Sequence, residues 1–298
     1  MLRVVLVGLI CLLNCIARNV EASDSKLPIE VRFQGRDKFE RLAERASAEN
    51  WSKLAIGERV ATVGKALVGT PYQSFTLEID DHIEAVSANL LGMDCWTFFE
   101  ISLAFARMID EPRENWTPSN LLNYLELDRY RDGKCTGSYL SRLHYLEDWS
   151  VDNERRGMLK DVTRSLGGGK GLHRASEMTS GWKQYRYLRS NPSLIPGIAS
   201  MEERVTKLPM YYVPIRKVKA ASSRIQAGDI ICIVSKDGGP FVSTSHVGLA
   251  VKDSSGVVHF MHASSPRNYG KVLIDDEISR YLRRYTTDVG IMVVRPLK

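Results

Sequence analysis

The chain has 298 residues, 44% hydrophobic and 26% charged, with 41 Lys and Arg against 35 Asp and Glu for a net charge of +6. That balance excludes a disordered or low-complexity chain, and the length suits one large domain with an ample core. Basic residues form no tight run and no nucleic-acid reading motif occurs, so no nucleic-acid partner is expected.

The first residues read as a targeting segment. Arg3 precedes an apolar run, Val4 to Leu13, that is too short to span a bilayer, and Val20-Glu21-Ala22 before Ser23 fits a small-residue cleavage site. Residues 1–22 are therefore expected to be a secretory signal, with the mature protein exported to the periplasm or cell envelope. Asn14 before Cys15 argues against a lipid anchor, and no later stretch is apolar enough for a transmembrane segment. Cys11 and Cys15 leave with the signal. Cys95, Cys135 and Cys232 remain, an odd number, so at least one thiol stays free in an oxidising space. Cys135 and Cys232 can pair or stay reduced.

Residues 23–36 read as an exposed lead-in. From Asp37 to Leu67, Phe39, Leu42, Ala46, Leu54, Val60, Val63 and Leu67 recur at steps that are mostly helical. Gly69-Thr-Pro-Tyr72 stops that pattern. Alternation at Phe75, Leu77 and Ile79 predicts a half-buried strand, and a second short strand is expected through 85–91. A helix then starts at Cys95, with Gly92 ending the preceding segment and Asp94 as N-cap. Apolar residues fall all around its wheel, the mark of a helix buried on every side. In the next region Thr117-Pro118 predicts a cap and first helical residue, with a helix through Leu121, Leu122, Leu125 and Leu127. A further helix is expected over 139–149, carrying Arg142, His144 and Tyr145. Gly167 to Gly171 is a break without phosphate-loop spacing. Residues 131–225 hold 18 Lys and Arg against 9 Asp and Glu, an attractive surface for an acidic ligand. From Ile225 the pattern turns to β: a strand over 229–234, a turn over 236–240, a hairpin of 246–252 and 256–262, and short strands at 272–274 and 290–295. A helix is expected near 276–284.

Chemistry converges on Cys95. Backbone N–H groups and the dipole at a helix start favour a thiolate and can hold an oxyanion. Such a nucleophile needs a base and the base an orienting group. His246 and His262 lie sixteen residues apart, an even number, so facing strands put both on one side of the sheet, while His259 points away. The expected roles are nucleophile for Cys95, base and then acid for His246, and orienter for His262. A Cys/His/His zinc site fits less well, because no local Cys/His pair has close ligand spacing, and neither a metal nor another cofactor is expected.

Thr70-Pro-Tyr72, Asp94-Cys95, Ala227-Gly-Asp-Ile230, Ser245-His-Val-Gly248 and His262-Ala-Ser264 occur in the order found in NlpC-type papain-like cysteine peptidases. Asp94-Cys-Trp-Thr-Phe-Phe-Glu100, Ser141-Arg-Leu-His-Tyr145 and Ser245-His-Val-Gly-Leu-Ala250 resemble, more closely and across nearly the whole mature chain, a bacterial N-acetylmuramoyl-L-alanine amidase-like family within that superfamily. The resemblance implies an α+β fold, with a papain-like core whose nucleophile helix packs on an antiparallel sheet. It implies one catalytic domain over 23–298, with 111–225 as a mostly helical insertion lining the cleft. Cys95, His246 and His262 match the catalytic positions, Tyr72 matches a tyrosine that lines the site, and Asp94, Trp96 and Ser245 flank the chemistry. The oxyanion is expected at the Cys95 N–H with help from the Tyr72 hydroxyl. Arg142, with His144 and Tyr145, is expected to meet the acidic stem peptide. The implied reaction is cleavage of the amide between the muramic acid lactyl group and L-alanine, with 1,6-anhydro-muropeptides preferred, by a monomer whose partners are peptidoglycan fragments. Trp96-Thr97 in place of Ser-Gly after the cysteine, and the long insertion, depart from the wider superfamily. Two rivals stand beside this reading: an endopeptidase cutting the D-glutamyl–diamino acid bond, and a wall-binding protein without turnover.

Overall fold

The computed structural model describes residues 27–236 and 239–297; the expected signal, residues 1–22, lies outside the described residues. Among the described residues no helix is long and apolar enough to cross a membrane.

Where one helical pattern ran from 37 to 67 there are two helices, α1 (Arg36–Ala48) and α2 (Ile56–Ala66). Asn50 takes the left-handed conformation (φ 55°) that its short polar side chain tolerates, and a 3-10 turn at Trp51–Lys53 comes next. The bend lets both helices bury their apolar stripes, Phe39 and Leu42 on one, Val60 and Val63 on the other. Helix α3 (Cys95–Met108) is buried from Thr97 to Met108, as its all-round apolar wheel required. Helix α4 (Pro118–Arg129) begins at the predicted cap, where Thr117 Oγ1 accepts the Asn120 N–H at 3.1 Å.

Three sequence expectations fail. Residues 75–79 form no strand, because Phe75 sits at φ 60° and breaks the extended run. Of the stretch 85–91 only Ala88–Asn89 pairs, in parallel with Phe33–Gln34. The helix expected over 139–149 is a 3-10 turn at Tyr139–Ser141 and then α5 (Leu146–Arg155). Arg142 and Tyr145 lie between them in extended conformation.

The β part is an eight-stranded antiparallel sheet: β1 (Leu159–Asp161), β2 (Gly169–Lys170), β3 (Tyr211–Pro214), β4 (Ile230–Lys236), β5 (Val242–Lys252), β6 (Val258–Ala263), β7 (Val272–Glu277) and β8 (Asp288–Pro296). Their order is β2-β3-β8-β4-β5-β6-β7, with β1 also pairing β8. The fold is thus α+β. Strand β4 is apolar at nearly every position because both faces are covered. Cys232 and Val234 join the α3 side of the core, and Ile231 and Ile233 pack with Val218, Ile278 and Leu282 on the other. A separate apolar cluster, with Tyr139, Tyr145, Met178, Leu188 and Ile198 among its members, lies within 139–205.

The ladders carry three irregularities, and two of them lie beside the histidines. Ile233 pairs with His246 but Val234 with Thr244, so Ser245 is an extra, bulged residue. Met261 pairs with Ile274 but His259 with Glu277, which puts a second bulge at 275–276. Bulges bend a strand and re-aim its side chains.

Candidate active site

The start of α3 is held by a reciprocal cap. Asp94 Oδ1 accepts the Thr97 N–H at 2.8 Å, and the Asp94 N–H donates to Thr97 Oγ1 at 3.0 Å. Cys95 is the first helical residue, with the backbone N–H groups of Val247, Trp96 and Cys95 directed at its sulfur. The expected thiolate does not form in the resting site. Burial, and next the charge of Asp94, push the thiol up to about 12 against those N–H groups. Cys95 is therefore a neutral thiol, half-buried at the wall of a cavity.

His246 and His262 meet as expected, although not straight across the hairpin. The register sets Leu249 opposite Met261, so His262 falls opposite Gly248 and His246 is its diagonal neighbour on the same face. His246 Nε2 lies 2.7 Å from His262 Nδ1. Gly248 makes this approach possible: a Cβ there would stand 2.4 Å from the Met261 carbonyl oxygen and 2.8 Å from His262 Cβ. His259 points elsewhere, to Asp253 and the Asp275 carbonyl. Burial, then the facing His262, hold His246 down at about 3, so its imidazole is neutral.

Sequence reasoning missed Asp275. Its Oδ2 lies 3.3 Å from His262 Nε2, and Arg284 donates to Oδ1 at 2.8 Å. Burial would raise this carboxyl, yet the bonds from His262, the Asp276 N–H and Arg284 hold it down at about 2. An ionised Asp275 only accepts, which fixes the chain of protons. His262 donates from Nε2, accepts at Nδ1 from His246 Nε2–H, and leaves His246 Nδ1 as a free acceptor. Asp275 stands in a run of three carboxylates, Asp275-Asp-Glu277, and only the β6–β7 bulge selects one of them. The signal is the register, which is not local.

The remaining expected residues gather around one cavity of about 450 Å³. Tyr72, Asp94, Trp96, Ser245 and His246 line it beside Cys95, and Arg142, His144 and Tyr145 form part of the opposite wall. His262 lies behind His246, outside this cavity. Tyr72 is placed by a bridge to Met93, and burial, then its neighbours Cys95 and Asp94, raise its hydroxyl to about 12, keeping it a donor. Trp96 packs on Phe99, ring centroids 5.9 Å apart. Arg142 is not a free cation. It is buried, 3.4 Å from Glu84, with its guanidinium 4.7 Å from the centre of the Tyr139 ring. Tyr145 donates to Glu202 at 2.5 Å. His144 donates from Nε2 to the Tyr139 carbonyl at 2.9 Å, and burial, then Arg142, lowers it to about 3. Cys95, Cys135 and Cys232 are all free thiols. Among the described residues no group of three His, Cys, Asp or Glu side chains is arranged to hold a metal ion.

Known proteins can be set against this geometry. The model of a family described as N-acetylmuramoyl-L-alanine amidase-like matches residues 62–291. A solved N-acetylmuramoyl-L-alanine amidase from Bacteroides uniformis is similar at 30% identity and TM-score 0.72, over 82% of this chain and 99% of that one. A Bacteroides fragilis structure, provisionally named a xylanase, is 33% identical with TM-score 0.69, over 78% of this chain and 99% of that one. A Legionella pneumophila protein at 20% identity and TM-score 0.65, over 88% of this chain and 94% of that one, shares the fold. No curated protein matches.

Proposed function

The chain belongs to the N-acetylmuramoyl-L-alanine amidase-like family, and from that membership and the Cys95 geometry we propose a cysteine-dependent cell-wall amidase that cleaves the bond between the muramic acid lactyl group and L-alanine. The observation that carries this reading is the joined set of Cys95 at a capped helix start, His246 in the same cavity, and His262 and Asp275 behind it. A helix-borne thiol beside a strand-borne imidazole, on an antiparallel sheet, supports a papain-like core of NlpC type.

The cycle is set by the proton chain. His246 Nδ1 takes the Cys95 proton, and the thiolate attacks the lactyl carbonyl carbon. Backbone N–H of Cys95 and the Tyr72 hydroxyl hold the oxyanion. His246 returns its proton to the leaving L-alanine nitrogen as the C–N bond breaks. Water, deprotonated by His246, then hydrolyses the thioester. Because the resting thiol and imidazole are both neutral, proton transfer belongs to the attack itself. His262 and Asp275 keep His246 in the tautomer whose Nδ1 is free, the same logic by which an aspartate holds the imidazole of a serine triad.

The insertion 111–225 we assign to the cleft wall of a single catalytic domain, with Arg142, His144 and Tyr145 on the side of the stem peptide. Export to the periplasm rests on the signal features of residues 1–22, and the basic surplus of residues 131–225 suits fragments rich in carboxylates. We read the enzyme as a monomer acting on 1,6-anhydro-muropeptides. Product analysis tests the bond. An intact stem peptide with a free L-alanine amine is expected. L-alanyl-D-glutamate still attached to the sugar would replace the amidase by an endopeptidase.

A further inference from the structure

Seven exposed cations stand together at one border of the sheet. Lys160 lies on β1, Lys170 ends β2, and Arg164 sits on the turn between them. Arg216, Lys217 and Lys219 lie on the helix Ile215–Ala221 that follows β3, and Arg224 on the 3-10 turn after it. Strands β1 and β3 pair with successive stretches of β8, at residues 294–296 and 290–291, and β2 pairs with β3. Contacts between the segments gather the cations there. Lys217 reaches the Gly167 carbonyl at 3.4 Å, Arg224 donates to the Ser165 carbonyl, and the Arg164 guanidinium lies 4.9 Å from the centre of the Tyr211 ring.

The partners of these cations set them apart. Residues 159–170 and 211–224 hold seven Lys and Arg against one carboxylate, Asp161, whose Oδ1 accepts the Thr163 N–H at 2.8 Å. The contacts of Lys217, Arg224 and Arg164 go to neutral carbonyls and a ring, which leave the charge uncancelled. Among the described residues none of the seven is ion-paired. Several exposed arginines elsewhere sit on carboxylates: Arg155 on Asp132 and Asp152, Arg186 on Asp81, Arg280 on Asp276. The seven do not serve the catalytic cavity either. None of them lines it, and β3 stands three strand spacings, roughly 14 Å, from β5, which carries His246.

Uncancelled cations spread over two strands, a turn and a helix suit an extended array of negative charge better than a single small anion. Two leucines choose among such arrays. Leu172, 63% exposed, follows Lys170 by two residues, and the exposed Leu297 donates its N–H to the Met158 carbonyl beside β1. Apolar side chains beside a polybasic surface gain from a bilayer interface and gain nothing from a soluble polyanion. We propose that the border formed by β1, β2, β3 and the helix Ile215–Ala221 is a peripheral docking surface for a membrane rich in anionic phospholipid. Its lysines and arginines meet lipid phosphates, and Leu172 and Leu297 enter the headgroup boundary. The cleft around Cys95, farther along the sheet, stays open to soluble fragments. Attachment does not depend on the reaction at Cys95.

The test is sedimentation of the chain from Ser23, which omits the apolar run 4–13, with two kinds of vesicle: phosphatidylcholine alone, and equal parts phosphatidylcholine and phosphatidylglycerol. Lys160→Glu, Lys170→Glu and Arg216→Glu are combined in one variant, because among the described residues these side chains make no hydrogen bond or ion pair that the change would break. Wild type is expected to sediment with the phosphatidylglycerol vesicles only and to be released as salt rises. The triple variant is expected to bind about tenfold more weakly or worse, and Leu172→Ser several-fold more weakly. Thermal unfolding checks that each variant folds, and Leu172→Ser stands in if the triple variant does not. Absence of binding at low salt, equal partition into both kinds of vesicle, or undiminished binding by the folded variants would overturn the proposal. Retention on a heparin column without binding to vesicles would overturn it too, in favour of a soluble polyanion.

Discussion

The sheet that carries His246 and His262, and the segment 139–206 that supplies much of the opposite cavity wall, solve the problem of placing polar groups in different ways. In the sheet, an apolar core on both faces holds a short run of neutral or singly charged groups, and two bulges aim them. In the segment 139–206, short turns and helices surround buried charges that compensate each other: Arg142 with Glu84, and Glu202 with the Tyr145 hydroxyl and the Met178 N–H. The first arrangement sets proton positions. The second builds a wall whose charges are committed to structure before any substrate arrives. A residue's value to catalysis and its value to stability should therefore separate between the two regions.

The sharpest way to break that contrast is Asp275→Asn. An amide can donate to His262 Nε2 and reverse the chain of protons, leaving His246 Nδ1 protonated. The expected result is a fall in kcat of about 10³- to 10⁴-fold with KM and melting temperature nearly unchanged. A matching loss of stability would make Asp275 merely structural. On the other side, Arg142→Ala is expected to act through the fold. It strands Glu84 in a buried site and should cost about 3–5 kcal/mol in denaturant unfolding, whereas the paired change Arg142→Met with Glu84→Gln costs less. A fully stable Arg142→Ala with raised KM would return Arg142 to direct substrate binding.

Acidification touches both regions together. His246 and His144 sit at about 3 in the folded chain, against about 6.5 when unfolded. Between those values the unfolded chain binds protons that the folded chain refuses, so their contribution is full above about pH 6.5 and is lost as pH falls toward 3. His144→Gln, which can still donate to the Tyr139 carbonyl, is expected to reduce the slope of stability against pH in that window. An unchanged slope would mean that His144 titrates alike in both states. The smallest effect is expected at Phe75, a residue 58% exposed at the cavity. Phe75→Ala should leave stability within about 0.5 kcal/mol while raising KM several-fold.

The same contrast explains what the sequence made legible. The cap at Asp94, the buried wheel of α3 and the cap at Thr117 are signals contained within a few residues, and each was readable. Parity put His246 and His262 on one face, since a period of two survives a register error of two. Which residues stand opposite each other was not readable, because Gly248 and the Ser245 bulge set it through contacts between strands. Asp275 was hidden for that reason among its acidic neighbours. In the region 139–206 the helical period misled. Arg142 and Tyr145 hold extended backbone because buried partners from distant segments, Glu84 and Glu202, claim their polar ends. Phe75 likewise reads as a strand residue and is kept from it by a left-handed backbone that no local pattern announces.

Everything proposed for the site turns on amide cleavage by the Cys95 thiol. It is met most directly by mass spectrometry of a 1,6-anhydro-muropeptide incubated with the wild type and with Cys95→Ala. Free anhydro-sugar and intact stem peptide are expected from the wild type, and uncleaved muropeptide from a folded Cys95→Ala. Equal product from both proteins would contradict it.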